Sequence, residues 1–124
     1  MLNHLRERVT EALSTVKTAT LSTHGAAGIQ ANVFPCECVG LALYLLVPRT
    51  SDHLFNLEHD HEVVVSTEAW QVRGTACVIR EPPGGLALLQ APDAAWCEVV
   101  SVCPARVQIE ARDGSGHAET IDLD

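Results

Sequence analysis

At 124 residues, 47% hydrophobic and 19% charged, the chain has the size and composition of one globular domain spanning 1–124, which excludes global disorder. Sixteen acidic against eight basic residues leave a formal charge of −8, which opposes nucleic acid and anionic lipid as partners. The longest apolar run, Val39 to Pro48, is far below the ~20 residues that cross a bilayer, and the charges scattered through MLNHLRERVTEAL give no export signal.

Leu2, Leu5, Val9, Ala12, Leu13 and Val16 recur at steps of three and four and predict an opening amphipathic helix, with Asn3 or a neighbour as its cap. From Thr18 the period becomes two. TATLST, a turn at His24 to Gly28 and the run IQANVF predict a hairpin that Pro35 ends or distorts. Leu41 to Val47, apolar throughout, predicts a strand covered on both faces or lining a barrel. After Pro48, Ser51 or Asp52 can cap a short helix with Leu54, Phe55 and Leu57 facing inward.

Glu62 to Thr67 and Gln71 to Ile79 predict a second hairpin, with Gly74 allowing a bulge or a close approach. The Pro82 to Gly85 cluster breaks the sheet, and Leu86 to Gln90 reads as a short helix. Trp96 to Val102 and Arg106 to Ala111 read as strand, and a turn at Asp113 to Gly116 leads to a weak last strand, Glu119 to Leu123. Short strands with few helices and no βαβ alternation define a mainly β class, an antiparallel barrel with helices at its rims.

Five cysteines cannot all pair internally, which fits a reducing compartment, the cytoplasm. Cys36-x-Cys38 lacks a second ligand pair at structural-zinc spacing, so no metal is expected, and Cys77, Cys97 and Cys103 read as buried small hydrophobes. His59-Asp60-His61 reads as a solvated turn, and Trp70 and Trp96 as core or interface residues. No serine or cysteine sits in a recognisable nucleophile setting, so any chemistry would belong to a cofactor.

The order helix, TATLSTHGAAGIQANVF hairpin, LALYLLVP, RTSDHLFNL, EVVVSTE, VRGTACVI and VCPARVQIE resembles the pyridoxamine 5'-phosphate oxidase-like proteins, the FMN-binding split-barrel group, over roughly residues 5 to 111. Ser51-Asp52-His53-Leu54-Phe55-Asn56-Leu57 is similar to that family's Ser-x-Lys-x-x-Asn-Leu, which serves the flavin phosphate at a helix N-terminus. The resemblance implies a split barrel, FMN as cofactor, a homodimer sharing two sites, and phosphate contacts from Arg49, Thr50, Ser51 and His53. It further implies that the strand carrying Gln30 and Asn32 runs beside the isoalloxazine ring and that the strand of Gln71 and Arg73 approaches it. His53 stands where the family most often has lysine, which weakens the anion site because histidine is mostly neutral near pH 7. The expected function is a flavoprotein acting on an unknown small molecule. The alternative is a non-enzymatic split-barrel module that has lost flavin and binds another ligand or a protein. Pyridoxamine phosphate oxidation itself is not expected, for want of a C-terminal extension with the substrate-binding Trp and Arg.

Overall fold

A computed structural model describes residues 2–110 and 118–123. Helix α1 (Leu2–Leu13) is followed by β1 (Thr18–Gly25), β2 (Gly28–Val39), β3 (Ala42–Pro48), α2 (Asp52–His59), β4 (Glu62–Ser66), β5 (Trp70–Ile79), two 3-10 turns at Ala87–Gln90 and Ala94–Trp96, then β6 (Cys97–Glu110) and β7 (Ala118–Asp122). The strands run antiparallel in the order β3-β2-β1-β4-β5-β6-β7, and a further pairing of β3 with β6 closes six of them into a barrel. The expected split-barrel architecture is the one observed.

Alternation fills the interior. Ala19, Leu21, Leu43, Leu45, Val47, Val63, Val65, Val72, Val100, Val102 and Val107 are buried together, and Val9 and Leu13 of α1 and Leu57 of α2 join them. Outside the barrel Leu46 and Val99, paired across β3 and β6, are covered by Leu86 and Leu88 of the first 3-10 segment.

Several boundaries move. Helix α1 begins ahead of Asn3 and stops at Leu13 rather than Val16. Pro35 does not end β2: the adjacent Cys36 N–H donates to Lys17 O at 2.9 Å, so the proline's missing donor faces the other edge, where β3 begins pairing only at Cys36. Strand β6 is continuous through Pro104 because a bulge between Arg73 and Gly74 absorbs the irregularity, and Gly74 lies against the Cys103 carbonyl, as its glycine predicts. Trp96 lies in a turn and is exposed, while Trp70 is core. Cys77 and Cys103 are exposed rather than buried, because alternation puts both on the outer wall. Ala111 and the turn at Asp113 to Gly116 lie outside the described residues.

Candidate functional site

The loop between β3 and α2 forms a self-contained cap. Ser51 is extended, its Oγ accepts the His53 N–H at 3.2 Å, its carbonyl accepts the Leu54 N–H at 3.2 Å, and its own N–H donates to Pro48 O at 2.9 Å. The first-turn donors of residues 53 and 54 are thus used locally, and Asp52, in the first turn, sets its carboxylate at the positive end of the helix.

The inward face of the helix is broader than its apolar residues suggest: Leu57 is buried and Leu54 packs against the core, as expected, but Phe55 does not. His53, Asn56 and Leu57, at steps of three and one, are buried, whereas Phe55 is 60% exposed and stacks on His59. His53, 2% exposed, meets the edge of Phe34 with ring centroids 5.3 Å apart and reaches both β1 and β2. The Asn56 amide donates to Thr23 Oγ1 at 3.0 Å and to Gln30 Oε1 at 2.6 Å. The Thr23 hydroxyl then donates to His53 Nδ1 at 2.6 Å, and the protonated Nε2 of His53 donates to Asn32 Oδ1 at 2.8 Å. This order requires a neutral imidazole. Burial agrees, lowering the pKa of His53 below 6.5 against the opposing pull of Asp52.

The network leaves an organised surface. The carbonyls of Gln30 and Asn32 are turned to Asn56 and His53, so both amide nitrogens are left as donors, two residues apart on β2. Among the described residues no buried side-chain polar atom lacks a partner. The cluster is polar, hydrogen-bonded throughout and formally uncharged.

The eight residues singled out in the sequence separate into three places. Gln30, Asn32 and His53 meet in this corner. Arg49, Thr50 and Ser51 line the loop before α2, with Arg49 Nε 3.3 Å from Glu98 and Ser51 spent on the cap. Gln71 and Arg73 are exposed on the outer wall, in rows running Val33, Thr20, Ser66, Gln71 and Ala31, Ser22, Val64, Arg73. Thr23 and Asn56 were missed. A threonine two residues beyond Ala19 and Leu21 on the core side of β1 was a readable signal, as was the asparagine of the Asn-Leu motif.

On the other flank of α2 a groove of about 570 Å³ is lined by Arg49, Leu54, Leu57, His61, Cys77 and Arg80 among others. His59 is the last residue of α2 rather than part of a turn, and Asp60 and His61 make the short link to β4, in which Asp60 Oδ1 accepts the Glu62 N–H at 3.0 Å. Among the described residues no three His, Cys, Asp or Glu side chains gather in a way that could hold a metal, and no helix is long and apolar enough to cross a membrane.

A six-stranded closed barrel with a helix after its third strand is the architecture of the split-barrel proteins, and solved structures agree. A protein from Clostridium acetobutylicum related to general stress protein 26 of B. subtilis, of the pyridoxinephosphate oxidase family, superposes with a TM-score of 0.72 at 12% identity, over 100% of this chain and 97% of its own. An FAD-binding protein from Mesorhizobium loti gives 0.63 at 10% identity over 82% and 90%. A heme-binding protein from Mycobacterium smegmatis gives 0.65 at 20% identity over 98% of this chain and 58% of its own. No family model matches the chain, and no curated protein does. The chain therefore has the split-barrel fold of the pyridoxamine 5'-phosphate oxidase-like proteins, a fold whose members include both flavin and heme binders.

Proposed function

We propose that this protein is a homodimeric flavoprotein of the split-barrel kind, holding a flavin against the Gln30 and Asn32 face of β2 beside α2 and acting in redox chemistry on a small molecule. The observation that carries this reading is the pair of amide donors fixed at that face by His53 and Asn56. A flavin ring presents carbonyl oxygens and ring nitrogens as acceptors along one edge, and uncharged, preoriented donors suit them. When bound, the flavin would supply hydride or electron transfer. The residues fit the ring better than the phosphate of FMN: among the described residues the corner holds no formal cation, and the N–H groups of His53 and Leu54 already have partners.

The outer wall supports the homodimer. Among the described residues no strand pairs with residues 28–35 of β2 on the edge away from β1, and Ile29 and Val33, 76% and 65% exposed, flank Ala31 on the outward face. Such an open, apolar strand invites a partner. Gln71 and Arg73 lie on the same wall, so pairing through it would carry them toward the partner's site.

A visible absorption spectrum of the purified protein, followed by titration of added flavin, tests the proposal. Yellow protein or quenched flavin fluorescence supports it. Colourless protein that leaves flavin fluorescence unquenched at concentrations well above micromolar overturns it.

The uncharged corner also motivates a second reading, a non-enzymatic module that has lost flavin and binds another ligand or a protein. Tight flavin binding seen only after His53→Lys would favour that reading, and tight binding by the parent would remove it.

A further inference from the structure

We infer that the site grips a flavin by its ring alone, so that riboflavin binds as tightly as FMN. This rests on the flavin reading above and concerns what the chain's own residues offer a phosphate. A dianion leaving water needs opposite charge or several unspent donors to replace its hydration.

At the start of α2 the charge is against it, and the neutral donors still open there, the Thr50 and Ser51 hydroxyls and the Asp52 N–H, sit beside a carboxylate. The N–H groups of His53 and Leu54 are taken by Ser51, and the first turn adds the like charge of Asp52. Arg49 is half-exposed and already beside Glu98, and the chain as a whole carries −8.

His53 cannot readily be recruited as a cation. Its Nδ1 accepts from the Thr23 hydroxyl, and that oxygen already accepts from Asn56. A proton on Nδ1 would turn Thr23 Oγ1 into an acceptor of two bonds and strand the hydroxyl hydrogen in a buried site. Its Nε2 is directed at Asn32, so neither nitrogen faces an incoming phosphate. The donors left over on β2, the amides of Gln30 and Asn32, are neutral and suited to ring acceptors.

The experiment is a parallel titration of the full chain with riboflavin and FMN, read by flavin fluorescence at low and high salt. The expected result is FMN no more than about threefold tighter than riboflavin, with neither affinity falling as salt rises. FMN tighter by a wider margin and weakened by salt would show a gripped phosphate, overturning this inference while leaving the flavin reading intact. Binding of neither flavin would overturn both. The exposed substitution Asp52→Lys supplies a missing charge without touching the buried network. It should favour FMN over riboflavin by about tenfold, and an unchanged ratio would show that the uncharged start of α2 is not why the two bind alike, which overturns the inference as drawn from this corner.

Discussion

Two glycines stand at the closest contacts in this barrel, and they meet different neighbours. A Cβ on Gly74, in the β5–β6 seam, would lie 2.2 Å from the backbone oxygen of Cys103, whereas one on Gly25, at the end of β1, would lie 2.3 Å from the side-chain Oδ1 of Asn56. Behind the seam lie Val72, Ala76, Val102 and Val107, buried and apolar, so that region is held by ladder bonds and by burial that has no preferred direction. The corner is held by an amide, a hydroxyl and an imidazole, whose bonds are directional and depend on protonation. A barrel of this kind can keep its shape through the seam while its chemistry is confined to the corner.

The sharpest test of the contrast is Gly74→Ala. Backbone cannot step aside as a side chain can, so urea denaturation should show a loss of about 3 kcal/mol. Thr23→Val comes next, at about 2 kcal/mol, because it leaves both His53 and Asn56 short of a partner, and Thr23→Ser should restore most of the loss. Gly25→Ala should cost about 1 kcal/mol, since the Asn56 amide can shift at the expense of its hydrogen bonds. If Gly25→Ala cost more than Gly74→Ala, the distinction between the two regions would fail.

Smaller still is the pH response. The unfolded imidazole titrates near 6.5 and the folded one lower, so the contribution of His53 is complete above about pH 6.5 and is lost as pH falls from there toward the folded value. Denaturation midpoints measured across that window should fall with pH in the parent and flatten in His53→Gln. The smallest effect on folding is expected from Ile29→Lys with Val33→Lys, within about 0.5 kcal/mol because both side chains are exposed. The same pair should turn a dimer into a monomer by light scattering, and a parent already monomeric would remove the proposed interface.

The strands, the two hairpins and the barrel were legible because period-two alternation, the continuous run Leu41 to Val47 and the glycines at turns all agree with one another. Pro35 misled, and the gap left between Val102 and Arg106 is strand, for one reason: a lone sequence does not reveal which edge of a strand lacks a partner or where a bulge falls. On α2, Leu54 and Leu57 pack inward as expected but Phe55 misled, because the rest of that face goes to His53 and Asn56, which pair with Thr23, Gln30 and Asn32. Polar residues that satisfy one another in pairs look individually like surface residues, so Thr23 and Asn56 were hidden until the strands were placed beside the helix.

The hydrogen-bonded corner also has a sense of direction. Its protons run from Asn56 through Thr23 and His53 to Asn32, and each bond polarises the next. Every one of those bonds joins neutral groups, so the amide nitrogens shown on β2 are the open end of a chain whose direction follows from which ring nitrogen of His53 holds the proton. A nitrogen NMR shift of that imidazole therefore reports the polarity of the face before any ligand is added.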